Sequence, residues 1–292
     1  MHARTTPIPL RTAISASELA TADPVDAVRA IGSYWVRNSG LDLQSRLVRY
    51  FKDSSFLHTD AGIMQGIGHA YSEMLAEFIA PWRPASIVRV LSSSEIKPDA
   101  GRPLAFLTDR LCSLLHITDC TDVFFRSEPR KPMRMINRLA GDGVLRQRIS
   151  YVLQDMFVVP RTLQGPVVIL DDILNLGATA GVYASALKRF CGVTEVYSAN
   201  IAAARFTGGK DGWGTLHLDI DRFAALARTQ VPTLRGVNPF DPTWTINGGK
   251  YFHLNQECAG STGRAFQSMR IFSELEYTAC LECSDAKHHP PR

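Results

Sequence analysis

Residues 167–193 read VVILDDILNLGATAGVYASALKRFCGV, and the succession of residue types within them decides the fold. Pro166 to Leu170 is an unbroken apolar run, as expected of a strand buried on both faces of a parallel sheet. From Thr179 to about Phe190, the residues Val182, Tyr183, Ala186, Leu187 and Phe190 recur at helical spacing. Between strand and helix stand two adjacent carboxylates, Asp171 and Asp172, and a short loop containing Asn175, Leu176 and Gly177. A strand that turns through glycine into a helix presents several backbone N–H groups at the positive end of the helix dipole. A phosphate fits there. Thr179 can add a hydroxyl donor, and the small residues Ala178, Ala180 and Gly181 let an anion approach the backbone.

Two acids directly before such a cradle would repel a bare anion. They make sense if the phosphate is carried by a sugar, because carboxylates accept hydrogen bonds from ribose hydroxyls while the 5′-phosphate rests on the helix. The loop is neither a Walker A sequence, which needs Gly-Lys-Ser/Thr, nor a G-x-G-x-x-G turn.

Working outward, Ser86–Leu91 is short and β-branched and predicts a strand. The loop SSSEIKPDAGRP follows, then a helix from about Leu104 to Leu115. Asp122–Phe125 predicts another strand, and the basic stretch after it reads as irregular to about Pro160. Strands are expected at Glu195–Ile201 and Thr215–Ile220. Upstream, Asp23-Pro24 is a good helix start. The spacing of Val25, Val28, Ile31 and Trp35 then suits a short amphipathic helix, and further helices are expected over Leu41–Phe51 and Ile63–Ile79. From Val231 onward Pro, Gly and Asn punctuate the chain and no regular element is predicted. Alternating strands and helices make an α/β parallel sheet. The expected organisation is an N-terminal helical extension (1–85), an α/β core (86–230) and an irregular C-terminal lobe or hood (231–292).

The 292 residues are 45% hydrophobic, enough to exclude disorder as the main state. No apolar run approaches the ~18–20 residues that cross a bilayer. With 32 basic against 28 acidic residues the net charge is only +4, which suits anionic small molecules no less than nucleic acid. The N-terminus has no apolar h-region of a secretory signal, although its Arg, Ser and Thr content before Glu18 is shared with organelle transit peptides. Six cysteines without an even framework are read as reduced thiols in a cytoplasm.

The acidic loop resembles the ribose-phosphate loop of type I phosphoribosyltransferases: four apolar residues, two acids, two apolar residues and a Thr/Gly-rich turn. Within that superfamily the sequence is most similar to ComF-like, amidophosphoribosyltransferase-related proteins, over about residues 86–205. IVRVLSSSEIKPDAGRPLAFL (87–107) and RSEPRKPMRMINRLAGDGVLRQR (126–148) stand where that family has its strand-and-loop and its Arg-rich segment. The resemblance implies a phosphoribosyltransferase-like core that binds 5-phosphoribosyl-1-pyrophosphate or a nucleotide. The implied reaction is Mg²⁺-dependent displacement of pyrophosphate from carbon 1 of the sugar by a nitrogen nucleophile. It implies Asp171 and Asp172 as the reaction-centre acids and Asn175, Gly177, Ala178, Thr179, Ala180 and Gly181 as the 5′-phosphate loop. Ser93, Ser94, Lys97, Arg102, Arg126 and Arg130 are the candidate pyrophosphate contacts, with Lys131, Arg134 and Arg205 beside them. The sequence departs from the family at Asn175 and Leu176, where hydroxyl or small residues are usual. It departs again at Ala100, Gly101 and Leu104, a remnant of an Arg-Gly-x-Asn-Gln signature, and in lacking the N-terminal zinc ribbon.

Those departures keep a second class open: a non-catalytic phosphoribosyl or nucleotide sensor acting through a homo-oligomer or an operon-encoded protein partner. A nucleic-acid-binding role ranks last, for want of charge and of a recognition-helix motif. Separately, His253, Cys258, Cys280 and Cys283 form a candidate Zn²⁺ set, the last two as C-x₂-C. Unligated reduced thiols are the alternative. Cys112, Cys120 and Cys191 fall on or beside apolar elements and are expected in or near the core.

Overall fold

The computed structural model describes residues 6–36, 42–52, 61–132, 143–205, 216–231, 237–246, 249–260 and 265–280. Along the chain, β1 (Ile8–Pro9), α1 (Leu10–Ala13) and α2 (Ala16–Thr21) lead to β2 (Ala27–Trp35), then α3 (Leu43–Lys52) and α4 (Ala61–Ile79). The middle of the chain alternates more closely: β3 (Ser86–Arg89), α5 (Pro103–Leu115), β4 (Thr118–Asp119) and β5 (Phe124–Arg126). After these come α6 (Val144–Leu153), β6 (Met156–Val158), β7 (Val167–Leu174), α7 (Ala178–Phe190) and β8 (Val196–Arg205). The last part holds α8 (Ile220–Arg228), β9 (Pro242–Ile246), β10 (Tyr251–His253), α9 (Gln256–Gly260), β11 (Ala265–Met269), α10 (Arg270–Glu276) and β12 (Thr278–Ala279). The chain divides into two compact units, residues 1–37 with 71–217 and residues 38–70 with 218–292.

The first unit is built on a five-stranded sheet in the order β2-β8-β7-β3-β4, with every pairing parallel. Its central strand is the one the apolar run predicts: Val167, Val168, Ile169 and Leu170 are all fully buried. Val167 and Ile169 join the core cluster that contains Val182, Tyr183, Ala186 and Leu187 of α7. Val168 and Leu170 are equally buried but lie outside that cluster, on the opposite face. The mixed α/β architecture with a helix-flanked parallel sheet therefore follows from β7 being dry on both sides.

The helix expected after Asp23-Pro24 is instead β2, paired in register with β8 from Ala27↔Tyr197 to Trp35↔Arg205. Asp26 decides the matter. Its backbone N–H donates to Val196 O at 2.8 Å, its carboxylate accepts from Val196 N at 2.7 Å, and Lys188 Nζ lies 2.8 Å away. That anchor starts a strand beside β8, and β-branched Val28 and Ile31 with Gly32 offer a helix little resistance to it. The first 85 residues are accordingly not a helical extension, since β1, α1, α2 and β2 belong to the first unit.

The stretch read as irregular up to Pro160 contains α6 and β6. Ile149, Val152, Leu153, Met156 and Val158 are buried there, a helical and then alternating apolar pattern masked by Arg146 and Arg148. β6 is the middle strand of a small antiparallel sheet, β1-β6-β5. The strand expected over 215–220 is not formed by the described part, 216–220. Asp219 caps α8 by accepting from Arg222 N at 3.0 Å, so the turn chemistry there starts a helix.

The region after Val231 is likewise not irregular. It forms a four-stranded sheet, β11-β9-β10-β12, and shares the second unit with α3 and with α4 as far as Ala70. Within that unit Arg46 lies over the Phe272 ring, 4.5 Å from its centroid, and Tyr50 meets the same ring edge-on at 5.8 Å. No helix among the described residues is long and apolar enough to cross a membrane.

Gly66 of α4 marks a close approach inside the second unit. A Cβ there would lie 2.8 Å from Phe240 Cε2, 2.9 Å from Ala227 O and 2.9 Å from Val231 Cγ2. Gly66→Ala gains about 1 kcal/mol of helix propensity but meets a backbone carbonyl that cannot yield, an overpacking cost of about 1–3 kcal/mol. We expect a lower urea midpoint for Gly66→Ala. Gly62→Ala in the same helix, with open space around its Cβ, should not lower it.

Candidate functional site

The chain passes from β3 through α5 to β4 on one side of the sheet, and from β7 through α7 to β8 on the other. β3 and β7 are neighbours, so the loops leaving their carboxyl ends diverge. Such a reversal of strand order opens a crevice, the usual ligand position in an open parallel sheet. Right-handed crossovers running in opposite directions also put α5 and α7 on opposite faces. The segments that flank this switch point are residues 90–102 after β3 and, on the other side, the end of β7 with the turn into α7, residues 171–181, both within the first unit.

On the β7 side the strand runs on to Leu174, so Asp171 and Asp172 sit in its carboxyl-terminal half rather than beyond it. Asp171 is in register with Asn200 of β8, and its Oδ1 accepts from Asp172 N at 2.8 Å. Strand alternation gives Asp171 the face of Val167 and Ile169, toward α7, and Asp172 the face of Val168 and Leu170. Burial pushes the Tyr183 hydroxyl of α7 above its ordinary value, and the charge of Asp171 adds to the rise. Both carboxylates are half-buried, neither turned wholly inward nor lying loose on the surface.

Gly177 is the N-cap of α7 at φ 75°, a left-handed conformation that favours glycine, and open space surrounds the position of its missing Cβ. Gly181 N donates to Gly177 O at 2.8 Å, and Gly177, lacking a side chain, supplies no side-chain cap of its own. Ala178, Ala180 and Gly181 are buried while Asn175 and Thr179 are half-buried. The first turn of this thirteen-residue helix is thus built of small residues apart from Thr179, and its N–H groups have no partner within the helix. Leu176 is 47% exposed, an apolar group on the rim of a polar loop.

The loop after β3 is organised by a pair the sequence reading did not single out. Arg89 closes β3 and forms a two-pronged ion pair with Glu95 at 2.7 and 3.1 Å, their side chains 2% and 1% exposed. Glu95 also accepts from Ser92 N at 2.6 Å and Asp99 N at 3.0 Å, while Arg89 donates to Asp99 O. Burial alone would raise the Glu95 pKa, but the hydrogen bond from Arg89, the two backbone N–H groups and the Arg89 charge together hold it below the usual range.

Arg126 of β5, a candidate for pyrophosphate, lies inside this loop. It is buried, donating to the carbonyls of Leu91, Ser92 and Glu95, and its own N–H meets Ile96 O at 2.7 Å. Its role in the fold is therefore to brace the loop. Arg130 lies close by, its N–H on Ser93 O and its guanidinium over Tyr151. Asp155 faces both arginines, 3.7 Å from Arg126 Nε and 3.8 Å from Arg130 NH1. These two nitrogens and both Asp155 oxygens make no hydrogen bond among the described residues. Burial, then the like charge of Arg126, lowers the Arg130 pKa, whereas burial raises that of Asp155 despite the arginines. Two guanidiniums against one carboxylate leave a buried positive excess under Ser92 and Ser93. Such an arrangement suits an anion near those backbone groups.

Ser93 is half-buried and Ser94 and Lys97 are exposed on the same loop; Arg102 is half-buried and paired with Asp99 at 3.2 Å. Arg205 stands apart at the end of β8, its guanidinium over the Trp35 ring of β2. Arg134 lies outside the described residues. In the second unit the structure brings His253, Cys258 and Cys280 together, whereas Cys283 lies outside the described residues. Cys120 and Cys191 are buried, and Cys112 is half-buried with burial pushing its thiol up to about 12. No protein-family model, curated protein or solved structure matches the chain.

Sequence reasoning missed Arg89, Glu95 and Asp155. An arginine inside the apolar run Ile87–Leu91 and an acid between Leu153 and Met156 were the available signals, since buried charges need partners. Glu95→Gln leaves Arg89 buried without its counter-charge and should destabilise the protein by about 3 kcal/mol or more at neutral pH. Because the folded pKa of Glu95 is depressed, this difference is present in full above the ordinary glutamate value. It shrinks as pH falls through the lower, folded value. Urea midpoints of wild type and variant, measured from pH 7 to well below the ordinary glutamate value of ~4, should converge at the acid end of the series.

Proposed function

We propose that the chain binds a phosphoribosyl compound, 5-phosphoribosyl-1-pyrophosphate or a nucleotide, in the crevice between the loops after β3 and β7. There it transfers or cleaves the phosphoribosyl group. One observation carries this reading. The acids Asp171 and Asp172, in the last four residues of β7, are followed by a left-handed glycine that serves as the N-cap of α7, at the reversal of strand order. A 5′-phosphate would take the N–H groups of residues 178–180 and the Thr179 hydroxyl. The ribose hydroxyls would donate to Asp171, which shares the α7 face of the strand, while Asp172 stands on the other face. The amides and hydroxyls of Ser93 and Ser94, above the buried Arg126–Arg130 excess, would receive the pyrophosphate.

Charge develops on the sugar ring and on the departing pyrophosphate when the bond at carbon 1 breaks. The acids would stabilise the ring's positive character and the arginine-braced loop the leaving group, so preorganised electrostatics and positioning carry the rate. Half-exposed carboxylate oxygens are the hard donors Mg²⁺ takes, which makes Asp171 and Asp172 fit partners for a substrate-bound ion. When bound, that ion supplies neutralisation of the pyrophosphate charge.

Leu176 favours a second reading. An exposed leucine on the phosphate rim can offer no hydrogen bond to a ligand but does offer apolar surface to a protein partner. On this reading the same crevice binds the phosphoribosyl compound without turnover and reports its presence.

Calorimetry with 5-phosphoribosyl-1-pyrophosphate and Mg²⁺ tests the site. Pyrophosphate release with a panel of bases, ammonia or water then separates enzyme from sensor. The Asp171→Asn, Asp172→Asn double variant should keep its circular dichroism and lose affinity about 100-fold or more, the worth of two charge-assisted hydrogen bonds. Unchanged affinity removes the site.

A further inference from the structure

The second unit carries a cluster that the crevice does not use. β10 and β12 pair in parallel, Tyr251↔Thr278 and Phe252↔Ala279, and Cys280 N donates to Phe252 O at 2.9 Å. The next step of that register sets His253 beside Cys280. The chain then turns at Asn255, whose Oδ1 accepts from Glu257 N at 2.7 Å, and enters α9. Five residues after the histidine this brings Cys258 back to the same point: His253 Nδ1 lies 3.3 Å from Cys258 Sγ, and Cys258 Sγ lies 4.0 Å from Cys280 Sγ. All three ligand atoms lie within 4.8 Å of one another.

We propose that His253, Cys258 and Cys280 hold a Zn²⁺ ion that staples β10, α9 and β12 together. A tetrahedral ion with Zn–S near 2.3 Å and Zn–N near 2.0–2.1 Å sets its donors about 3.6–3.8 Å apart, and the two separations found here straddle that edge. The sulfur atoms are too far apart for a disulfide, whose S–S bond is about 2.05 Å. Two thiolates and an imidazole are soft and borderline donors, which select zinc over the oxygen-seeking Mg²⁺ of the crevice. His253 is buried and the cysteines half-buried, so the ion would be partly shielded. The elements it joins need such a link. β10 has three residues, β12 two and α9 five, each too short to hold its place by its own hydrogen bonds. Metal binding of this kind contributes directly to folding free energy.

Metal analysis of the full-length chain, purified in reducing buffer, loaded with an equimolar amount of Zn²⁺ and dialysed, tests the site. The expected content is about one zinc per chain, retained by Cys112→Ser in the first unit and lost from Cys258→Ser and from Cys280→Ser. Replacement by Co²⁺ should give a thiolate-to-cobalt charge-transfer absorption that weakens in either serine variant. Because losing a ligand can unfold the lobe, the wild-type chain supplies an independent reading. Zinc retained by it, with a melting temperature lowered by chelator, supports the site. Wild-type protein that retains no zinc overturns the proposal, as does full retention by both serine variants.

Discussion

A strand with water on neither face must find two strand neighbours and a covering layer on each side. Val167–Leu170 impose that requirement on the first unit. Every backbone group of that stretch has to be paired, which places β3 on one side and β8 on the other. The alternate side chains must be covered on opposite faces, as α7 does with Val182, Tyr183 and Leu187 over Val167 and Ile169. With the strand fixed at the centre, its carboxyl end borders the proposed crevice where the strand order reverses. The first polar residues after the apolar run, Asp171 and Asp172, are half-buried there.

The opposite wall depends on burying charge, a costlier device. Arg89 and Arg126 are among the largest fully buried side chains, and Glu95 and the carbonyls of residues 91, 92, 95 and 99 accept from their terminal nitrogens, while Arg126 Nε makes no hydrogen bond among the described residues. A hydrophobic filling of the same volume would stabilise as much or more. What the guanidiniums supply is direction: they draw carbonyls inward and so fix the course of the loop. The loop is thus ordered by the protein's own contacts.

Much of this was legible in the chain. The strands at 86 and 167, the helices at 104 and 179 and the glycine turn between acids and helix are local patterns, each consistent with its surroundings. Val25–Trp35 was not, because its apolar spacing fits a helix and a strand alike, and only the reciprocal bonds of Asp26 with Val196, distant in sequence, decide between them. Residues 144–158 hid their periodicity among arginines. The partners of Arg89 and the triangle of Arg126, Arg130 and Asp155 depend on loop paths that no spacing encodes. The approach of Cys258 and His253 could be read from their proximity in sequence, whereas Cys280 joins them through strand register alone.

The second unit is assembled from two pieces, residues 38–70 and 218–292, with most of the first unit between them. During synthesis the apolar faces of α3 and α4 leave the ribosome early and wait for α8 and β9–β12. At ~5–20 residues per second that interval is roughly 7–30 s, long beside the microseconds in which a helix forms. Gly66 and Tyr50, which lie against Ala227, Val231 and Phe240 and against Phe272 in the finished protein, lack those neighbours throughout it. A release factor that freed the polypeptide before Leu218 would leave those faces permanently bare.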